Sequence, residues 1–445
     1  MKAWINATLA IGIVLTGALA MGGGTSRKVT LKAELTTPVI HAGRRQTAFL
    51  KVGLTGFELL GRRDRAPVNI ALVIDRSGSM SGEKIAKARE AAEMAVRRLD
   101  ARDILSVISY ASGTEVIVPA TRLTDREDVI RRIRKIRSGG GTALFAGVSK
   151  GAAEVRKFLE NGRVNRVILL SDGQANEGPS SPAALADLGR SLGRERMSVT
   201  TIGLGSGYNE DLMFDLAQAS DGNHSFAKTA ADLVAIFDRE FSDVLSVVAQ
   251  EVIVTIRCAD GVRPVRVVGR EAEIRGGEVR FLLNQIYSRQ EKYAVIEVDL
   301  PATEAGKVFE VAKVEVSYAN ALTHREDRLA SHVRARATTS AREVEKERNR
   351  EASIAAVEQV ANVANIQAMK LRDKGKVHEA QQVLSDNAAM VQGYNKDLKS
   401  DKLARVQKEN REQVDQVKSS KWSFFRKKMR SSQYESKNQQ SRGKK

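Results

Sequence analysis

The 445-residue chain carries 72 Lys and Arg against 54 Asp and Glu, a formal net charge of +18, with 42% hydrophobic residues and a single cysteine, Cys258. Such a composition excludes a fibre or a wholly disordered chain, and the length accommodates two or three domains. One cysteine excludes an intrachain disulfide and a cysteine-rich zinc site, so Cys258 is expected to act as a small buried apolar residue.

The chain opens with Lys2 and an apolar run over residues 7–20 that ends in Ala18-Leu19-Ala20, the small-x-small pattern of a cleavage site. The run is shorter than the roughly 20 residues a membrane-spanning helix needs. It reads as a signal peptide within residues 1–24, cleaved near residue 20, with an uncleaved anchor as the alternative. The expectation is an exported protein of the periplasm or cell envelope.

Over 25–66 the pattern has period two. Val29, Leu31, Ala33 and Leu35 alternate with polar residues, and Leu50, Val52 and Leu54 repeat the motif, as in half-buried strands. From residue 67 the style changes. A nearly continuous apolar run over 69–74 fits a strand buried on both faces. A helix follows, with Ile85, Ala88, Ala92, Ala95, Val96 and Leu99 on one side. Strands at 104–110, 115–118, 166–170 and 199–204 then alternate with helices near 126–136, 143–159, 183–192, 210–219 and 231–245. That alternation predicts a doubly wound α/β domain over 67–248, with a mostly parallel sheet. Period two returns over 249–325, where Ile296, Val298 and Leu300, then Val314, Val316 and Tyr318, face one side. Two strands alone are marginal in water, so the two flanking sets are expected to form one β-sandwich into which the α/β domain is inserted.

Residues 340–418 read as a helical hairpin. Ile354, Val357, Ala361, Ala364, Ala368 and Leu371 make a heptad seam, broken at 373–376, and the seam permits self-association. Residues 401–445 hold 14 Lys and Arg against 5 Asp and Glu. The stretch over 419–445, with Trp422, Phe424 and Phe425 among cations, reads as a basic disordered tail that could touch an anionic membrane or envelope polymer. The export signal argues against nucleic acid.

The residues that carry chemistry sit at predicted strand ends, where ligands bind in open α/β sheets. Asp75-Arg76-Ser77-Gly78-Ser79 follows the strand at 69–74 and presents a carboxylate and two hydroxyls at alternate positions. Gly78 is expected to let Ser77 and Ser79 face one point. Thr142, after Gly139-Gly140-Gly141, offers a third hydroxyl, and Asp172 in Ser171-Asp172-Gly173 a second carboxylate. Five oxygen donors, Asp75, Ser77, Ser79, Thr142 and Asp172, suit Mg²⁺, with Mn²⁺ or Ca²⁺ as substitutes. With few charged ligands the ion keeps positive charge and an open position, which an Asp or Glu of a protein partner can fill. The plainer reading of any one loop is a helix cap, by Asp75 or Ser81 in the first case. Gly-Lys-Ser/Thr is missing after the glycines at 139–141 and 203–207, position 77 lacks a phosphatase carboxylate, and no HExxH occurs. The chain therefore does not read as an enzyme.

Together, Asp75-Arg76-Ser77-Gly78-Ser79-Met80, Gly141-Thr142-Ala143-Leu144 and Ser171-Asp172-Gly173-Gln174-Ala175-Asn176 resemble the three metal-site loops of von Willebrand factor type A domains. Gly203-Leu204-Gly205, Phe237 and the strands over Val248–Val268 resemble bacterial exported members, including those similar to the inter-alpha-trypsin inhibitor heavy chain. The resemblance implies a Rossmann-like fold, a divalent ion ligated directly by Ser77, Ser79 and Thr142 and partly through water by Asp75 and Asp172, and protein binding. The other expectation is an envelope scaffold that recognises its partner through the helical hairpin and basic tail, the metal site being purely structural.

Overall fold

A computed structural model describes residues 27–61, 64–159 and 162–440; the signal peptide expected at 1–24 and the last five residues of the expected basic tail lie outside them. Strands β1 (Thr30–Leu35), β2 (Val39–His41) and β3 (Gln46–Thr55) lead into an α/β domain. This contains β4 (Val68–Asp75), α1 (Glu83–Arg98), β5 (Ile104–Tyr110), β6 (Thr114–Arg122), α2 (Arg126–Arg134) and α3 (Leu144–Arg156). It continues with β7 (Val164–Ser171), α4 (Pro182–Arg194), β8 (Met197–Leu204), α5 (Glu210–Ala219), β9 (His224–Ala227) and α6 (Ala230–Val244). The sheet order is β6-β5-β4-β7-β8-β9, parallel except for β6. All eight residues of β4 are buried because helices cover both faces. Ile70, Leu72 and Ile74 pack towards α1 and α6, while Ala71 and Val73 pack towards α3. The unbroken apolar run in the sequence records this two-sided burial.

The chain then returns to β-structure through β10 (Val247–Cys258), β11 (Arg263–Val267), β12 (Glu273–Arg275), β13 (Glu278–Tyr287), β14 (Glu291–Leu300), β15 (Val308–Asn320) and β16 (Glu326–Thr338). One sheet has the order β1-β3-β14-β11 and the other β12-β13-β10-β15-β16-β2. Leu50, Val52 and Leu54 of β3 share a core with Ile296 and Val298 of β14, Val254 and Ile256 of β10, and Val314 and Val316 of β15. Strands from both sides of the α/β domain thus build one sandwich, and the domain is an insertion. The sandwich does not end at 325: β16 carries it to Thr338, and its parallel pairing with β2 closes the edge.

Helices α7 (Ala341–Lys346), α8 (Arg350–Asp373), α9 (Val377–Leu398), α10 (Asp401–Gln416) and α11 (Trp422–Asn438) follow. The expected hairpin is α8 and α9, but α10 adds a third helix to it. Ala355, Ala356, Val360 and Val363 of α8 cover Phe49, Tyr293 and Val295 on the outer face of the first sheet. On the other side of α8, Val357 and Ala361 meet Val391, Leu398 and Leu403, and Ala368 meets Leu384 and Met429. The heptad seam is therefore covered by α9, α10 and α11 of the same chain, and it offers no open face to a second copy. Over the described residues 419–440 the expectation of a disordered tail is also overturned. Residues 422–438 form a helix, because its aromatic and charged groups find buried partners in the α/β domain. Among the described residues, no helix is long and apolar enough to cross a membrane.

The domain and the sandwich meet around Arg166 of β7, which is fully buried. Its guanidinium donates to Thr200 Oγ1 (2.7 Å), to Gln285 and to Tyr287 Oη (3.2 Å). A charge buried at this depth persists only where hydrogen bonds replace its lost hydration.

Candidate metal centre

Three loops meet at the carboxyl ends of β4 and β7. The first leaves β4 at Asp75 and makes a tight turn over Gly78–Met80 before α1. The N–H of Ser77 donates to Asp75 Oδ1 (2.8 Å), which folds the backbone back on the carboxylate. Ser77 Oγ and Ser79 Oγ then lie 3.1 Å apart. The expected convergence of the two hydroxyls is present, but it does not depend on a left-handed glycine at 78; the positive φ falls at Gly82 (72°). Neither Asp75 nor Ser81 caps α1, whose N-cap is Gly82 with no side-chain cap bond. Thr142 does not cap α3 either, since Ala143 holds that position without a side-chain bond. The capping explanation therefore fails for both loops.

Backbone bonds hold the loops in register. Gly139 N–H donates to Arg76 C=O (2.7 Å) and Gly78 N–H to Gly140 C=O (3.0 Å), joining the first loop to the second. Thr142 N–H donates to Asn176 Oδ1 (2.7 Å) and Asn176 N–H to Thr142 C=O (3.2 Å), joining the second to the third. Across the gap, Ser79 Oγ donates to Asp172 Oδ1 (2.8 Å). A methyl group placed on Gly173 would lie 3.2 Å from Thr142 Oγ1 and 3.5 Å from Ser79 Oγ. The hydroxyls of the first two loops thus surround one small space against the third. Asp75 is 0% and Asp172 1% exposed, whereas Ser79 is exposed and opens the space to solvent.

The electrostatics of this cradle call for a cation. Burial holds the Asp75 carboxyl above its ordinary pKa, against the opposing hydrogen bonds from Ser77 and Ser171, and the Asp172 carboxylate pushes the same way as burial. Ser171 Oγ donates to Asp75 Oδ2 (2.7 Å) and Tyr110 Oη lies 3.3 Å from the same atom. Burial and then Asp75 hold the Tyr110 phenol well above its ordinary pKa, so it stays a neutral donor. Lys84, in the first turn of α1, pairs with Asp172 Oδ2 and donates to Ser79 C=O (3.2 Å). A divalent ion would relieve the penalty that burial places on the charged Asp75 carboxylate. The donor set is all oxygen, two carboxylates and three hydroxyls, and it fits a hard cation. Among the described residues no cluster of three or more His, Cys, Asp or Glu forms a site of another type.

All five residues read from the sequence, Asp75, Ser77, Ser79, Thr142 and Asp172, come to this one place. Sequence reasoning missed the supporting groups Tyr110, Ser171, Asn176 and Lys84. Ser171 and Asn176 stood inside the quoted third loop and could have been found there; Tyr110, at the end of the neighbouring strand, gave no local signal.

Residues 69–239 match the family model described as the von Willebrand factor type A domain. This segment is a von Willebrand factor type A domain. The chain is 28% identical over 183 residues to the uncharacterized protein sll0103 of Synechocystis sp., covering 41% of this chain and 43% of that protein. It is 26% identical over 186 residues to YfbK of Escherichia coli, covering 41% and 32%. With the inter-alpha-trypsin inhibitor heavy chain H3 of Rattus norvegicus it shares 31% identity over 171 residues, covering 36% and 19%. These matches span less than half of each relative's length. Among solved structures, a von Willebrand factor type A protein from Catenulispora acidiphila superposes with a TM-score of 0.70 at 15% identity, covering 95% of this chain and 99% of that one. The ArnB paralog VWA2 from Sulfolobus acidocaldarius gives a TM-score of 0.61 at 16% identity, covering 92% and 99%. The likeness to both extends beyond the von Willebrand domain to nearly the whole chain, so the arrangement of sandwich, inserted domain and helices is a shared fold. Von Willebrand domains are in general interaction modules built around a metal-ion-dependent adhesion site rather than catalysts.

Proposed function

We propose that this protein is an exported, non-catalytic, metal-dependent binding protein. Mg²⁺ held by Asp75, Ser77, Ser79, Thr142 and Asp172 takes an Asp or Glu side chain of a partner protein into its coordination shell. The observation that carries this reading is the convergence of five oxygen side chains from three loops on one space that is backed by buried carboxylates and open to solvent past Ser79. Two anionic ligands leave a divalent ion electrophilic, and an exposed face lets a partner's carboxylate reach it. The apolar run over 7–20 supports export, to the periplasm or cell envelope. The test is a magnesium titration by calorimetry on the mature chain, beside Asp75→Ala, followed by partner capture with and without chelator. Binding in the wild type and none in the variant is expected; partner capture that survives both chelator and Asp75→Ala would overturn the reading.

The alternative, a scaffold that recognises envelope or membrane through its helices and basic tail, has less support. Arg426, Lys427 and Arg430, which dominate the aromatic-cationic cluster, point inward at carboxylates of the von Willebrand domain rather than outward.

A further inference from the structure

Helix α11 is far from the metal loops in sequence but is joined to them through one layer of side chains. Glu210 and Asp211 open α5 and are both engaged by α11. Arg426 bridges Glu210 Oε1 (2.6 Å), Asp211 Oδ2 (2.8 Å) and, on α8, Asp373 Oδ2 (2.9 Å). Lys427 Nζ meets Glu210 Oε2 at 2.5 Å, and Arg430 meets Asp211 Oδ1 at 3.0 Å. Lys427 is only 5% and Glu210 7% exposed, so these pairs are shielded from salt. Lys427 also sits 5.2 Å from the centre of the buried Tyr208 ring, and Phe424 lies 6.1 Å from Phe226, whose ring is in turn 5.8 Å from that of Tyr208. Further along, Tyr434 Oη donates to Gly222 C=O (2.7 Å).

What lies beneath these groups is the loop over 205–209. The Tyr208 ring packs against Gly203, where a methyl would come within 2.3 Å of the ring. Gly207 approaches so closely that a methyl there would lie 2.9 Å from Asp172 C=O. The path is short and contiguous: α11, then residues 208–211, then Gly207 against the peptide of a metal-site carboxylate. Packed cores transmit displacement along such paths because they have little room to yield.

We propose that α11 is a positioning clamp for the metal centre: docked on residues 208–211, it presses the 205–209 loop against Asp172, and its release slackens the third metal loop and weakens metal binding. This rests on the metal reading of the site. By linkage, the metal must then tighten α11 by the same factor that α11 tightens the metal.

The experiment is hydrogen–deuterium exchange by mass spectrometry on the full mature chain, with and without Mg²⁺, alongside calorimetric Mg²⁺ titration of wild type, Asp75→Ala and the double variant Arg426→Gln/Lys427→Met. In the wild type, Mg²⁺ is expected to slow exchange over 422–438 several-fold, and in Asp75→Ala to leave it unchanged. The double variant is expected to speed exchange over 422–438 and 171–176 and to weaken Mg²⁺ binding several-fold. Mg²⁺ that binds the wild type yet leaves 422–438 unaltered overturns the clamp alone. An α11 freed by the variant with metal affinity intact does the same. No Mg²⁺ binding in the wild type overturns the metal reading and the clamp with it. The wild-type arm stands on its own if the double variant does not fold.

Discussion

Gly207→Ala tests how tightly the third metal loop is held. The new methyl would lie 2.9 Å from Asp172 C=O, about 0.5 Å inside ordinary van der Waals contact, and that neighbour is backbone, which cannot rotate away. One of the two loops has to move. The 205–209 side is pinned by the buried Tyr208, by Gly205 N–H on Ala227 C=O (2.8 Å), and by Asn209, whose Oδ1 accepts from Asp211 N–H (3.1 Å) and Leu212 N–H (3.3 Å). The Asp172 peptide therefore gives way, carrying its carboxylate off the 2.8 Å bond from Ser79. Magnesium tolerates only small departures from its preferred geometry, so a shift of a few tenths of an ångström should weaken it about tenfold, roughly 1.4 kcal/mol. Overpacking should also cost about 1–3 kcal/mol of stability. The assay is calorimetric Mg²⁺ titration with a thermal melt, beside Gly113→Ala, where an added methyl meets nothing within 4 Å. Wild-type Mg²⁺ affinity in Gly207→Ala would refute the reasoning.

Three further outcomes are expected. Lys84→Met removes the ammonium that competes for Asp172 Oδ2, and Mg²⁺ binding should tighten about five- to tenfold, near 1 kcal/mol for a partly solvated charge; a titration showing weaker binding would assign Lys84 to holding the carboxylate in place instead. Burial, and after it Glu240, pushes the Asp243 carboxyl up to about 7. The folded chain therefore holds a proton there that the unfolded chain releases near pH 4, so this group's contribution to stability drains away as pH rises from about 4 to 7. Asp243→Asn should gain on wild type steadily as pH rises from 5 to 8 in paired denaturant melts, and a pH-independent difference would contradict it. Burial pushes the Cys258 thiol up to about 11 from its ordinary 9.0, so maleimide should label the native chain about 100-fold more slowly than the unfolded one; equal rates would show the site opening.

The metal centre was legible because its donors are local. Asp75, Ser77 and Ser79 lie within one turn, and Thr142 and Asp172 each follow a pattern that marks a strand end or a helix start. The doubly wound order was legible for the same reason, since β4 carries a nearly continuous apolar run and β7 a shorter one over 167–170. β16 was not, because its inward face is partly small, with Ala335 and Ala337 beside Val333, and its outward face is charged. Nor was α11. Arg426, Lys427 and Arg430 look like solvated charge until Glu210 and Asp211, more than 210 residues earlier, are brought beside them. Pairing across such distances leaves no periodic trace in the sequence.

The insertion has a mechanical consequence. The chain enters the von Willebrand domain from β3 and leaves it through α6 into β10, and both connections lie at the end of the sheet opposite Asp75 and Asp172. Gly56 bridges Ser288 and Ser288 N–H bonds Ser246 C=O (2.7 Å), so the two connections run side by side. A load on the metal face is shared by two tethers, one continuing into β3 in the first sheet and the other into β10 in the second, each a strand paired on both sides, rather than resting on a single linker.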